Sequence, residues 1–339
     1  MTVLTNVDPA LRRYWHPVCA ASDLDDGPIR VELLGEALAV ARLDGRPAVF
    51  ADRCPHRYAR LSDGTVVDGD LQCPYHGWRF GAEGQCTLIP ALGADSPAAG
   101  RVQLPVPAVH EAFDLVFVAL DDPAAPLLEV PEWDAPGITP VWLEPQRVRI
   151  GAGQFIDNFL DFAHFPFVHA GTFGAGEDEH VGDYEVERRD GGLRVVYDHV
   201  VENHEDPLVA TGAHPLLQPR CMEYTFQVPF SARLRLTLPT TGVENTIIAW
   251  AVPVTADETI LQQVLLRNDV TDAEHARHTA EYELSVLAED VAVLEHLPDR
   301  MLELDLPTQV HTRADRITVE LRRLLAAAIA PPDPDPDDA

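Results

Sequence analysis

Two short clusters of metal-binding side chains constrain this chain more than any other feature. Cys54-Pro55-His56 is followed, after 16 residues (57–72), by Cys73-Pro74-Tyr75-His76. A C-x-H and a C-x-x-H of this kind offer two thiols and two imidazoles from two loop tips. The fold must bring those tips together around one centre, so the segment between them has to turn back on itself. Thiolate with imidazole suits zinc or an iron–sulfur cluster. A structural Cys2His2 zinc site and a [2Fe–2S] cluster with two His replacing two Cys both match the residue types. A chance grouping of two cysteines with two unrelated histidines is the third reading, and the order of the four argues against it.

The remaining cysteines do not complete a disulfide framework. Five in all (Cys19, Cys54, Cys73, Cys86, Cys221) is an odd number spread over 339 residues, which points to a reducing compartment. Cys19, Cys86 and Cys221 read as buried small apolar residues. At 46% hydrophobic the chain has material for a sizeable core, and at roughly 150 residues per domain its length suggests two. The 25 basic against 55 acidic residues leave a net charge of −30. Phosphate would repel such a surface, which excludes nucleic acid and disfavours anionic membranes as partners. No apolar run approaches the roughly 18 residues of a membrane span, and the N-terminus lacks a signal-peptide pattern. A cytoplasmic protein is expected.

Residues 1–125 read as short strands and turns, with apolar runs at 31–34, 37–43 and 48–51 and a buried strand at 113–120. Pro123, Pro126, Pro131 and Pro136 mark a Pro-rich linker, taken as residues 126–140. The next domain, 141–330, opens with a helical stretch at 154–165, which Pro166 should stop. Strand-like runs over 184–266 then predict a large antiparallel sheet. A long helix follows over 271–296, with Thr271 and Glu274 as a capping box, and a second helix over 314–330. The Pro/Asp tail, 331–339, is expected to be disordered.

The 154–165 stretch carries a second constellation: Asn158, Asp161, His164 and, five residues on, His169. On a continuous helix Asn158 and His164 lie about 60° either side of Asp161, so all three share one face. A break at Pro166 lets His169 swing back toward His164, and two imidazoles so placed suit Fe(II) or Zn(II). A 2-His-1-carboxylate site needs an acid. Asp290, set among Val286, Leu287 and Leu294 on the long helix, is the first choice, because an unpaired carboxylate in an apolar stripe is costly. Glu289 and Glu295 are its rivals. His16, His110, His180, His199 and His311 read as ordinary core or surface histidines. The aromatics Phe155, Phe159, Phe162, Phe165 and Phe167 read first as core, with bracketing of a flat ring as the alternative.

Read together, CPHR, CPYHGWRF and D-x-x-H-x-x-x-x-H resemble the α-subunit of Rieske-type non-haem iron oxygenases, the terminal oxygenases of the vanillate O-demethylase and dicamba monooxygenase type. The resemblance covers about residues 14–120 and 140–325. It implies an α+β fold: an antiparallel β-sandwich Rieske domain, then a helix-grip domain with a curved antiparallel sheet and a long C-terminal helix. It implies that Cys54 and Cys73 hold one iron of a [2Fe–2S] cluster, and His56 and His76 the other. His164, His169 and Asp290 would hold a mononuclear Fe(II). Asn158 would line that site as a distant or water-mediated partner. Asp161 would bridge a cluster histidine (His76) and His164 across the interface of a head-to-tail homotrimer.

The implied activity is O2-dependent hydroxylation, or O- or N-demethylation, of an aromatic or heterocyclic small molecule. Electrons would come from NAD(P)H through a flavin-containing reductase, a ferredoxin or both. Cis-dihydroxylation uses the same ligands and stays open. So does an electron carrier whose second domain only binds a ligand. Arg57, Arg60 and Arg79 beside the cluster loops are expected to form a basic patch for an acidic redox partner. The substrate pocket is expected from the sheet, residues 171–215 and the long helix around 284–294.

Overall fold

A computed structural model describes residues 2–93, 99–174, 178–203 and 206–330. The expected acidic tail lies outside them. The chain separates into two compact units, residues 11–126 and the N-terminal segment together with everything from Leu127 onward.

The first unit is built from three antiparallel sheets. Ile29–Leu33, Glu36–Leu43 and Arg46–Ala51 form a meander, and four short strands from Thr65–Val67 to Cys86–Leu88 form another. The third sheet pairs His16–Ala20 with Leu115–Ala119, which is buried at every position. That strand is shorter than the apolar run suggests. Phe113 and Asp114 take positive φ angles of 53° and 56° and make the hairpin turn before it.

The N-terminal residues do not belong to this unit. Val3–Leu4 pairs with Leu302–Glu303, and buried Asn6 bonds to Thr259 Oγ1 at 3.0 Å and to the Ala152 amide at 2.8 Å. The Pro-rich stretch is likewise no free linker. Leu128 and Val130 are buried, and Thr139–Trp142 is an edge strand paired with Glu258–Arg267. Prolines are tolerated there because an edge needs fewer backbone donors.

The second unit is an eight-stranded antiparallel sheet. Its centre is Gly192–Glu202, Leu217–Gln227, Ser231–Leu238, Val243–Thr255 and Glu258–Arg267, joined in sequence order. The sheet's largest wholly buried side chains include Trp250, Tyr224 and Phe226. The long helix is Ala273–Leu294, and Arg316–Ile329 follows near the C-terminus. Asp272, not Thr271, caps the long helix: its Oδ1 accepts the His275 amide at 2.9 Å. A carboxylate at this position also favours the positive end of the helix dipole.

Candidate metal centres and substrate cavity

In the first unit, the two loops form tight turns around their cysteines. The Cys54 carbonyl accepts the Tyr58 amide at 2.8 Å, and the Cys73 carbonyl accepts the Gly77 amide at 3.1 Å. Gly77 has φ +68°, and a Cβ there would lie 3.2 Å from Pro90, so the second turn wants glycine. Cys54 and Cys73 are buried, with their thiols in hydrogen-bonding reach of each other. The His56 and His76 rings sit 4.5 Å apart, and Trp78 stacks on His56 at 4.6 Å. Burial pushes the Cys54 thiol up to about 11. Left alone, such a thiol stays protonated; a metal would hold it as thiolate. His56 Nδ1 is buried with no hydrogen-bond partner among the described residues. An orphaned imidazole nitrogen beside two buried thiols fits an iron–sulfur cluster.

Behind the first loop, the buried Asp52 carboxylate accepts both the Ser62 amide and its hydroxyl at 2.8 Å. Of the three arginines read as a basic patch, Arg57 and Arg60 are exposed. Arg79 is not available to it: half-buried, it bonds Asp68 at 2.8 Å and Gln72 at 3.1 Å. Cys86 is buried as expected, whereas Cys19 and Cys221 are only half-buried.

In the second unit, the helix carrying Asn158 runs Ala152–Leu160 and ends sooner than its sequence suggests. Asp161 is extended, with ψ 133°, and its Oδ1 accepts the Ala163 amide at 2.9 Å. This local side-chain bond replaces a helical one. Pro166 therefore does not stop the helix. It lies in the first turn of a new one, Phe165–Val168, where its missing N–H costs nothing. The shared helical face expected for Asn158, Asp161 and His164 does not exist, yet the break itself brings the groups together. His164 Nδ1 lies 3.1 Å from Asp161 Oδ2. The turn after His169 closes on Gly174, where a Cβ would meet the Phe165 carbonyl oxygen at 2.1 Å.

Three atoms converge. His164 Nε2 and His169 Nε2 are 3.2 Å apart, and Asp290 Oδ1 lies 3.4 and 3.3 Å from them. All three side chains are mostly buried. Glu289 is not in the cluster; its Oε2 takes the other nitrogen of His169, Nδ1, at 2.9 Å and the Thr172 hydroxyl at 2.8 Å. Glu295 lies at the helix end, against the Arg149 amide. With Nδ1 of each imidazole facing a carboxylate, the proton belongs on Nδ1 and the lone pair on Nε2. Two lone pairs and a carboxylate oxygen aimed at one point repel one another unless a cation sits between them. The set fits a 2-His-1-carboxylate metal site.

The electrostatics agree. Burial alone would lower the His164 pKa, but the Asp161 and Asp290 carboxylates outweigh it and hold it up at about 9. Burial alone would raise the Asp290 carboxyl; the two imidazoles and Asn158 outweigh that and hold it at about 2. Carboxylates on both sides of the imidazoles favour positive charge at this point, which a divalent cation would supply.

Beside this centre is a chamber of about 60 Å³ bordered by Phe155, Phe159 and Gln263. A cavity of about 390 Å³ shares walls with it through Phe165, Phe173, Leu234, Ile247, Glu283 and Val286. The helix contributes Thr279, Tyr282, Glu283 and Val286 to the larger cavity, mostly a turn earlier than the stretch expected from sequence. Phe155 and Phe165 are both buried core and cavity wall, while Phe167 is 64% exposed. Sequence reading singled out neither Gln263 nor Glu283. A strand residue's face is fixed by pairing register, which no local motif records.

Residues 14–108 match the Rieske [2Fe-2S] domain family, and residues 151–331 match the vanillate O-demethylase oxygenase C-terminal domain family. The chain is a Rieske oxygenase α-subunit. The oxygenase is 32% identical to methylxanthine N1-demethylase NdmA of Pseudomonas putida, over 93% of this chain and 88% of that protein. It is 30% identical to methylxanthine N3-demethylase NdmB of the same organism, over 92% and 88%. The structure of NdmA with caffeine matches it with a TM-score of 0.80 at 27% identity, covering 98% of this chain and 99% of that one. Dicamba monooxygenase bound to 3,6-dichlorosalicylic acid shares the fold, with a TM-score of 0.81 at 21% identity over 94% and 97%. Membership brings a Rieske [2Fe–2S] cluster, a mononuclear iron and O2 as co-substrate, and with them a redox partner in the chain of electrons from NAD(P)H. The zinc scaffold considered for the first motif is thereby excluded. Among the described residues no helix is long and apolar enough to cross a membrane.

Proposed function

We propose that this oxygenase removes a methyl group from nitrogen on a flat heterocycle. One N-methyl group, O2, NAD(P)H and a proton give the N–H heterocycle, formaldehyde, water and NAD(P)+. The observation that carries the reading is the cavity beside His164, His169 and Asp290, where aromatic and aliphatic side chains such as Phe165, Phe173, Leu234 and Ile247 stand among polar ones. Similarity over most of the chain to the NdmA and NdmB demethylases supports nitrogen over oxygen as the methylated atom. The converging triad argues against a pure electron carrier, which has no use for it.

In this reading Cys54, Cys73, His56 and His76 hold the cluster, and His164, His169 and Asp290 hold the iron. When bound, the cluster supplies single electrons and the iron activates O2. The chain's own residues do the rest. Asp161 and Glu289 fix the two imidazole rings and their tautomers. Asn158, beside Asp290, lines the centre without ligating it. Phe165, Phe173 and Ile247 hold a planar ring and keep bulk water from the reacting methyl group. We further take the assembly to be a cytoplasmic homotrimer served by a flavin-containing reductase or a ferredoxin.

The test is turnover with a flavin-containing reductase, NADH and a panel of N-methyl heterocycles, O-methyl aromatics and unmethylated arenes. Stoichiometric formaldehyde from the N-methyl compounds is expected. Diols from the unmethylated arenes, without formaldehyde from any methylated compound, would replace demethylation by cis-dihydroxylation.

A further inference from the structure

The first cluster loop is closed at its base by a buried charge. Asp52 Oδ1 accepts the Ser62 amide and Oδ2 the Ser62 hydroxyl, both at 2.8 Å. These two residues flank the loop that carries Cys54 and His56. Of the charged side chains on residues 51–62, Asp52 alone is buried; Arg53, Arg57 and Arg60 are exposed. The Asp52 side chain has no exposed surface, and its counter-ion is Arg30, whose Nε lies 3.3 Å from Oδ2 and whose own side chain is 40% exposed.

Closing the loop does not require that charge. An asparagine would accept the same amide through Oδ1 and donate to the same hydroxyl through Nδ2. A buried carboxylate costs more than a buried amide, and Arg30, partly in water, offsets only some of it. The location adds to the cost. Cys54 is two residues on, so its Cα lies within roughly 7 Å of that of Asp52. Cys54 and Cys73 belong to one apolar core with Phe50 and Leu61, and charges act further through such a medium than through water. A metal centre there holds both thiols as thiolates, so the fold sets a third negative charge beside two.

We propose that Asp52 sets the reduction potential of the iron–sulfur cluster, with Arg30 as its counterweight. Reduction adds one electron, supplied by the redox partner, and makes or breaks no bond in the chain. The buried carboxylate opposes that added negative charge, so it keeps the reduced cluster a strong donor toward the mononuclear centre. Arg30 works in the opposite direction, less strongly because solvent screens it. Ser62 is the positioning residue, whose two hydrogen bonds hold the carboxylate at the loop base. The proposal rests on Cys54, His56, Cys73 and His76 holding the cluster and adds what tunes it.

The experiment is an anaerobic redox titration of the cluster-loaded protein against dyes of known potential, followed by visible absorbance and EPR. At the potential that half-reduces the parent protein, the ratio of reduced to oxidised cluster should rise about tenfold in Asp52→Asn, the effect of a unit charge roughly 10 Å away at an effective dielectric of about 20. In Arg30→Gln the ratio should fall, by about threefold because that charge is partly screened. Ser62→Ala, which keeps both charges, should not raise it. Iron and sulfide assays show that each variant carries a full cluster. A ratio unchanged in Asp52→Asn, or moved in the same direction by Asp52→Asn and Arg30→Gln, overturns the proposal, since a loosened loop does not sort the two variants by charge. Should Asp52→Asn assemble no cluster, Arg30→Gln decides: a fall upholds the proposal and an unchanged ratio overturns it. Absence of a Rieske-type signal in the parent protein would remove the cluster reading and this inference with it. A full signal with unmoved ratios removes only this inference.

Discussion

Glu289 accepts from His169 at 2.9 Å on the ring nitrogen that faces away from the triad. Its neighbour in sequence, Asp290, lies 3.3 Å from the nitrogen that faces into it. Adjacent carboxylates on one helix thus address opposite edges of a single imidazole. Sequence left them as rivals for one role; the structure sets Asp290 with the two converging imidazole nitrogens and Glu289 behind one of the rings.

Glu289→Ala should therefore weaken the mononuclear metal site without abolishing it. Loss of an outer hydrogen bond to a metal-binding His typically costs about 10–100-fold in affinity. Titration of the cluster-loaded, iron-depleted protein with Fe(II) should show that drop, with the cluster's EPR signal unchanged. Affinity equal to the parent protein would show that Thr172 and the surrounding packing suffice to orient the ring.

Asp290→Ala should do more. Removing the carboxylate leaves two imidazoles and no charge to balance the ion, so iron assays should fall from about three per chain to about two (a cluster pair plus one mononuclear ion in the parent). Three irons retained in Asp290→Ala, with loss in Glu289→Ala instead, would reverse the assignment.

How much of this was legible beforehand follows from how local each feature is. The cluster motif is two short loops, and Cys54, His56, Cys73 and His76 meet because each loop turns within a few residues. The strands of the second sheet announce themselves by composition. The end of the helix at Leu160 was not legible, because one Asx-type bond, Asp161 to Ala163, outcompetes a pattern that otherwise continues to Phe165. The position of Gln263 on the wall of the inner chamber was not legible either. It depends on which face the strand pairing turns inward, a non-local fact. The same holds for Asn6, an unremarkable N-terminal residue whose Oδ1 accepts the Ala152 amide in the first turn of the helix that carries Asn158.

Behind that helix lies a buried ion pair. Arg322, 4% exposed, donates to Asp157 Oδ2 at 2.8 Å. It ties the C-terminal helix to the residue before Asn158. Burial raises the Asp157 carboxyl, with Arg322 opposing it. Breaking such a pair costs about 3–5 kcal/mol, while replacing both partners by well-packed neutral groups is near neutral. Arg322→Met should be destabilised by that order in denaturant melts and should lose mononuclear iron. The double variant Asp157→Leu/Arg322→Met should recover most of the stability. Equal loss in single and double variants would mean the pair contributes net stability of its own.

The first unit carries a pH limit of its own. His16 is 2% exposed, with Nε2 3.0 Å from the Leu11 carbonyl oxygen, and burial pushes its pKa down to about 4. The unfolded chain binds this proton at about 6.5. Between those values the unfolded state holds more protons than the folded one, so stability rises with pH. The contribution is fully present above pH 6.5 and is lost as pH falls toward 4. At about 1.36 kcal/mol per unit, the loss between roughly pH 6.5 and 5 is about 2 kcal/mol. Carboxylates titrate mainly below that window, and comparison with His16→Gln separates His16 from the other lowered imidazole of this unit, His56. Denaturant midpoints followed by the visible absorbance of the cluster should drop across the window in the parent protein. In His16→Gln, which keeps a donor but cannot titrate, the drop should shrink by most of that amount. A slope identical in the two proteins would move the acid sensitivity elsewhere in the unit.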